Sequence, residues 1–446
     1  MADGFITRKG GGGSAPLEIL DQEVISGVCN EPIVKNEPVT INKELEEVAT
    51  DQVFDLNGSF FITTPTEMVM SNTTDTYLVN VGNGFDRIDF FKRDGTAFNK
   101  LNPPDVLPPS TCYSVTFSYN DDYVAVGHRN FPFVTIYKRD EDELNKLPNP
   151  STTPPHQVNT VVFSPDDTYL YVGHFSPPFL TIYKRDGDVF NALVDPFDVD
   201  PTQQITSLDI SSCGNYLVCA ISSLGQSPVV WKRDGDSFNR VASPLLPDNQ
   251  ARAVGFSPNA EYLVSLNGHE TPLISFWKRD GDNFNPIPAP VFIPTLSFTS
   301  WRKISFDPTG EYMIFSYQTD TRMETQVELG LLMYKRTGDV FDLVKIPEAE
   351  SLISSSGHMW TRFAGFNNTG EYVLFSTFSN MSNNERISVI KINTTLNNPP
   401  SISINKAGNL NLFPWFALGQ GYALESGETG DTIEIMSLFR KGLRDV

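Results

Sequence analysis

A short strand-like run that ends in an aromatic residue and a lysine recurs along most of the chain. It reads FFKRDG, IYKRDE, IYKRDG, VWKRDG, FWKRDG and MYKRTG. The lysines are Lys92, Lys138, Lys184, Lys232, Lys278 and Lys335, so successive copies lie 46, 46, 48, 46 and 57 residues apart. Weaker copies follow at ISVIKIN, with Lys391, and IMSLFRKG, with Arg440. A second marker is an apolar residue six positions before a tyrosine. It occurs at Phe117/Tyr123, Phe163/Tyr169, Ile210/Tyr216, Phe256/Tyr262, Phe306/Tyr312, Phe366/Tyr372 and Phe416/Tyr422, with Met70/Tyr77 one residue longer. Both markers count eight copies. Length alone would divide 446 residues into two or three domains, but a repeat array closes as one unit.

The clearest copy, residues 159–193, holds three runs of β-branched and aromatic residues and a shorter fourth: TVVFS, TYLYVGH, FLTIYKR and DVFNAL. Turn residues separate them, Asp186-Gly187 being a hairpin turn between the last two. Four short strands cannot bury both faces of their own sheet; sheets stacked around an axis bury each other. The expected fold is all-β, a single propeller of about eight four-stranded blades. A ring of seven follows if the degenerate copy at 409–446 does something else. That last copy lacks a fourth strand, and DQVFDL at 51–56 resembles the missing GDVFNAL. The N-terminal segment, through Val53, Phe54 and Leu56, is therefore expected to complete the last blade, with the propeller spanning 51–446 and residues 1–50 standing outside it.

The formal net charge of −21 disfavours binding to nucleic acid or anionic membranes, which requires a basic footprint. No apolar run approaches the length of a membrane span, and the N-terminus shows no secretion signal. Cys29, Cys112, Cys213 and Cys219 are too few for a disulfide framework and read as reduced structural residues.

The run FSPDDTYLYVGH followed by FLTIYK resembles a WD-repeat unit, with Tyr-Lys or Trp-Lys where that family has Trp-Asp, so the family's hydrogen-bonded tetrad does not transfer. The form PFLTIYKRDGDxF is more closely similar to WD-like propellers encoded in tailed-phage and prophage genomes. GFITRKGGGG resembles the N-termini of some phage tail and fibre proteins. What these resemblances imply is a virion structural protein, assembled in the host cytoplasm, that meets other virion proteins and a host-surface glycan or receptor.

Residues 1–50 read as an extended, Gly-rich docking arm, with Phe5, Ile6, Arg8 and Lys9 as candidate contacts. The KRDG hairpins could suggest a phosphate-binding ring, but neighbouring acids neutralise them and they read as solvated turns. His128, His174 and His269 sit at the ends of second strands on different blades; a repeated structural role is favoured over a metal site. The copies differ most at the end of the ring carrying the b–c and d–a loops (strands lettered a to d within a copy). Long b–c insertions lie at 318–330 and 378–388, and long d–a loops at 194–205, 288–301 and 346–360. Phe292, Phe298, Trp301, Trp360, Arg322 and Arg386 are the candidate binding residues of this face. No catalytic, zinc or phosphate-cradling motif is visible, so no enzyme activity, metal or cofactor is expected. A carbohydrate-binding or glycan-degrading propeller and a cellular WD-type scaffold are the alternatives.

Overall fold

A computed structural model of the chain describes residues 23–29, 38–43, 49–55, 64–83, 87–94, 97–222, 228–241, 251–267, 274–288, 298–319, 331–344, 359–367, 369–379, 385–393, 402–406, 417–423 and 432–438. The chain divides into two compact units, Glu47–Asn397 and the pair Met1–Glu46 with Asn398–Val446.

The larger unit is a ring of seven four-stranded antiparallel sheets. Blades 1 to 6 are residues 64–100, 112–146, 158–192, 205–240, 251–287 and 298–344, and blade 7 is 359–393 with 49–55. Blade 3 shows the plan: strand a Val158–Phe163, b Tyr169–His174, c Leu180–Asp186 and d Val189–Ala192. Strand a of each blade packs on strand a of the next, and Met359–Phe366 against Thr64–Met70 completes the circle.

Strand b explains why the ring must close. Its side chains alternate between faces, and both faces are covered. Tyr123 and Ala125 pack with blade 3, whereas Val124 and Val126 pack with blade 1. All six residues of Tyr123–His128 are therefore buried. A strand flanked on both sides reads as a continuous apolar run rather than an alternating one.

The count of eight is corrected to seven. The segment taken as an eighth copy supplies strands Ala417–Ala423 and Thr432–Leu438 to a different sheet, where Gln420–Ala423 pair with Leu438–Ile435. With Glu23–Cys29, Pro38–Lys43 and Ile402–Lys406 they form a closed five-stranded barrel. Counted from Ala417–Ala423, its order is 1-2-3-5-4-1, the connectivity of an OB-type barrel with the chain ends moved. The spacing of Phe416 and Tyr422 matched the repeat because any strand with alternating apolar residues can match it. The expectation of an extended arm over 1–50 is corrected in the same way, since 23–29 and 38–43 are barrel strands and 49–55 a propeller strand. Phe5, Ile6, Arg8 and Lys9 lie outside the described residues.

Closure by the N-terminal segment is present, in a different blade from the one expected. Ala49–Asp55 pairs antiparallel with Glu385–Asn393, Val53 opposite Ile390 and Phe54 opposite Val389. Its partner is thus ISVIKIN of blade 7, not IMSLFRKG. Leu56 lies outside the described residues. Because Ala49 is paired with Asn393, the two ends of the propeller unit are register neighbours.

The KRDG turns are not merely solvated. In five successive interfaces, the tyrosine opening strand b and the strand c lysine of one blade hold a single aspartate in the c–d turn of the next. Tyr77 and Lys92 meet Asp142, both at 2.8 Å; Tyr123 and Lys138 meet Asp188 at 2.6 and 2.9 Å. Tyr169/Lys184 with Asp236, Tyr216/Lys232 with Asp282, and Tyr262/Lys278 with Asp339 repeat the arrangement. The motif arginine of the later blade stacks on that same tyrosine: Arg139 lies 4.7 Å from the Tyr77 ring centroid, Arg185 5.2 Å from Tyr123 and Arg233 5.1 Å from Tyr169. Hydrogen bonds from Lys184 and then Tyr169 lower the Asp236 pKa. With both charged groups about half exposed, the ion pair itself contributes little, and the tyrosine hydrogen bond and stacked arginine carry more of the interaction.

Both the latches and the closing strand can be tested by stability. Tyr169→Phe removes one charge-assisted hydrogen bond without changing the packing, and should lower unfolding stability by about 1 kcal/mol; an unchanged denaturation midpoint would show the contact to be energetically idle. Removing residues 1–45 should abolish the barrel yet preserve the propeller's melting transition, whereas removing 1–56 also takes the closing strand and should lower that transition. Calorimetry separates the two, and equal propeller transitions in both truncations would contradict the closure.

Candidate functional site

Antiparallel order places the a–b and c–d turns at one end of the ring and the b–c and d–a loops at the other. The interblade latches occupy the first end. The second end carries the feature most suited to binding, in blades 2 and 3.

The support begins with the Gly-His pair at the end of strand b. A Cβ on Gly127 would lie 2.5 Å from Val158 Cγ1, and one on Gly173 2.7 Å from Ile205 Cγ2, so glycine allows strand a of the next blade to approach. The histidines that follow are fully buried. His128 Nε2 lies 2.9 Å from Thr135 Oγ1 and His174 Nε2 3.0 Å from Thr181 Oγ1, joining strands b and c beneath the loop. The position equivalent to His128 in blade 5 is Asn267, opposite Ala251 as His128 is opposite Cys112. Asn267 donates to Ser275 Oγ at 2.9 Å. His269 lies outside the described residues, so its alignment with the other two histidines is replaced by that of Asn267.

The aromatic residue before each motif lysine anchors the incoming d–a loop. Tyr137 donates to Val106 O at 2.8 Å, Tyr183 to Thr152 O at 2.9 Å, and Trp231 through Nε1 to Val199 O at 3.1 Å. The b–c loops are tied down as well. His128 N donates to Phe133 O, Phe133 N to Asn130 O, and Arg129 N to Thr111 O of the neighbouring d–a loop. In blade 3, His174 N donates to Phe179 O, Phe179 N to Ser176 O, and Phe175 N to Gln157 O.

These two loops, RNFPF (129–133) and FSPPF (175–179), share an unusual backbone. Phe133 and Phe179 have φ of 69° and 68°, and a bulky residue adopts that region only where its surroundings hold it there. The result is an aromatic strip across blades 2 and 3. Phe131 and Phe133 stand edge to face with centroids 6.3 Å apart; Phe133 and the His156 ring lie parallel at 6.2 Å; His156 and Phe175 are 5.3 Å apart. Phe131 is 66% and Phe175 48% exposed, unusual for rings on so acidic a chain.

The candidate face residues chosen from sequence are placed differently. Phe298 and Trp301 belong to strand Phe298–Phe306, opposite Thr319 and Tyr317, and Trp360 belongs to Met359–Phe366, opposite Phe378. Arg386 is in Glu385–Asn393 opposite Thr377. These are ladder positions rather than the loop positions expected, because strands a and b of blades 6 and 7 extend into what read as loops. Phe292 and Arg322 lie outside the described residues. The strip at Phe131, Phe133, His156 and Phe175 was missed, although its signal, FPF and SPPF between paired strands, was in the sequence.

A second polar group lies among the inner strands. Lys303 of blade 6 forms an ion pair with Glu67 of blade 1, passing 5.2 Å from the ring centroid of Phe363 of blade 7. Glu67 also accepts from Val115 N. Asp209 of blade 4 accepts from Phe256 N and Ile210 N, and desolvation pushes its pKa up to about 6, with Lys303 drawing it back. Among the described residues, no group of three or more His, Cys, Asp and Glu could hold a metal ion. Cys112 and Cys219 are free and buried, and Cys213 is free and exposed.

Burial lowers the pKa of His128 and of His174 from 6.5 to about 4. The neutral rings therefore contribute stability that is complete above pH 6.5 and lost as pH falls towards 4, by up to about 3 kcal/mol per ring. Asp209 acts oppositely, its contribution falling as pH rises from 3.8 through 6. Replacing both histidines by asparagine, the residue blade 5 uses, should at least halve the loss of stability between pH 7 and pH 4.5, measured by chemical denaturation. An unchanged loss would show that these rings do not govern it.

No protein-family model matches the sequence, and no curated protein matches it. Solved structures do resemble it. The β-propeller domain of Cps50 (Swd1) from Myceliophteria thermophila superposes with a TM-score of 0.54 at 11% identity, covering 77% of this chain and all of that domain. The WD40 repeats of RRP9 give a TM-score of 0.54 at 12% identity, covering 79% of this chain and 100% of that one. Kuenenia stuttgartiensis hydrazine synthase gives 0.53 at 12%, covering 76% and 98%. At such identities the likeness is one of fold: the larger unit is a WD40-type β-propeller.

Proposed function

We propose that the protein is a non-enzymatic interaction module, a structural and attachment component of a tailed-phage particle that docks a protein partner on the b–c/d–a face of its propeller. The observation that carries the docking role is the exposed strip of Phe131, Phe133, His156 and Phe175, held on loops whose backbone groups bond to the neighbouring loops. Exposed aromatic rings on a rigid support are the usual anchors of protein interfaces, since little side-chain entropy is lost on binding. The virion assignment is supported by the PFLTIYKRDGDxF form of the repeat and by the GFITRKGGGG opening. Host-surface contact belongs to the same assignment.

The test combines Phe131→Ala with Phe175→Ala. Both rings are largely exposed, so melting should change little, while incorporation into purified particles, read by quantitative mass spectrometry, should fall about ten-fold. Equal incorporation would remove the docking role from this face. Absence of the unaltered protein from the particles would remove the virion assignment.

A further inference from the structure

We propose that the aromatic strip receives an extended, proline-bearing segment of a partner protein in the polyproline II conformation, with basic residues at the end nearest blade 4; this rests on the docking role proposed above. Successive ring centroids of the strip are 6.3, 6.2 and 5.3 Å apart. A polyproline II chain rises about 3.1 Å per residue, so alternate residues advance by about the same interval. Ring-lined slots at that spacing suit proline side chains, as in other aromatic grooves that read such segments.

Hydrogen bonding points the same way. The amides of Arg129 and Phe175 donate to the neighbouring d–a loops, those of Phe133 and Phe179 donate within their own loops, and the carbonyls of Phe133 and Phe179 accept from His128 and His174. Asn130 N is taken by Ser110 Oγ at 2.8 Å. With these groups engaged inside the protein, an incoming β-strand has little edge to pair with. A polyproline II segment has no internal ladder to complete and binds through its side chains.

Charge sets the direction. In the four loops around the strip, 101–111, 129–133, 147–157 and 175–179, Asp105 and Arg129 are the only Asp, Glu, Lys or Arg residues. The next d–a loop, running to blade 4, carries exposed Asp195, Asp198 and Asp200. A segment lying along the strip therefore meets an acidic loop at its blade 4 end, on a chain of net charge −21.

The probe is a short fluorescent peptide with prolines in PxxP spacing and two terminal arginines, titrated against the full chain by anisotropy. Saturable binding is expected. It should weaken about ten-fold when the prolines become alanine, or when the protein carries Phe131→Ala and Phe175→Ala, as for losing an anchor residue. Exchanging the arginines for glutamate should weaken it further in low salt. Equal affinity for the alanine peptide, or no saturable binding, overturns the proposal. A photo-crosslinker at position 131, used in assembling particles, separates that failure from failure of the docking role. Crosslinking to a protein without peptide preference leaves docking intact and overturns only the partner's chemistry. Neither crosslink nor peptide binding overturns both. Saturation by a host-surface polysaccharide in place of the peptide overturns the assignment to a protein segment.

Discussion

The second strand of every blade is covered on both faces, and the rest of the architecture depends on that constraint. A blade whose Tyr123 and Ala125 face one neighbour while Val124 and Val126 face the other exists only between two others. Apolar burial is non-directional, and by itself would allow adjacent sheets to slide. The Tyr–Lys–Asp contacts and the Arg–Tyr stacks set the register. The aspartate lies four residues after the motif lysine, across the c–d hairpin, at Asp142, Asp188, Asp236, Asp282 and Asp339. Blade 1 has Thr96 at that place, and blade 7 has no c–d hairpin because its fourth strand comes from the N-terminal side. The aspartate series thus joins blades 1 to 6, and the seam of the ring falls at blade 7. There Arg93 of blade 1 still stacks on Tyr372, with its guanidinium 5.2 Å from the ring centroid.

Much of this fold was legible in the sequence, because the information was repeated. Lys92 to Lys335 and Tyr77 to Tyr372 marked strands c and b, and DQVFDL was readable as a displaced fourth strand. The number of blades was less legible, since Phe416, Tyr422 and Arg440 carry an alternation that any antiparallel pair can share. Nothing local in residues 417–438 distinguishes a blade from a barrel; their partners, at 23–29 and 38–43, are about 400 residues away. The role of the KRDG turns was hidden for a related reason. Lys184 and Asp188 look like charges of one solvated hairpin, yet Lys184 binds Asp236 and Asp188 binds Lys138. The candidate site was the least legible part. Sequence reasoning looked for aromatic residues in the longest loops, whereas the described aromatic surface lies on two of the shortest, where positive φ at Phe133 and Phe179 turns a compact loop into a platform.

The two ends of the ring have different chemistry. One end is a belt of charged turns that lock blade to blade. At the other, each motif aromatic fixes a d–a loop, each Gly127-type glycine admits the next blade, and His128 and His174 join strands b and c under the loops that carry the strip. The Tyr-Lys and Trp-Lys pairs that replace Trp-Asp of the WD repeat serve both ends at once. Tyr183 donates upward to Thr152 O while Lys184 reaches down to Asp236. The strip is therefore a product of the packing that holds the ring together, and its rigidity follows from the same contacts.

Residue-resolved hydrogen exchange on the native protein tests that link most directly. The amides of His128, Phe133, His174 and Phe179 should be protected like those of the strands beneath them, and exchange should begin at the blade 7 seam, in 49–55 and 385–393. Rapid exchange in 129–133 and 175–179, with blade 7 as protected as blades 2 to 5, would contradict the account: the strip would then be a mobile loop surface, and the interblade contacts would not be what orders the ring.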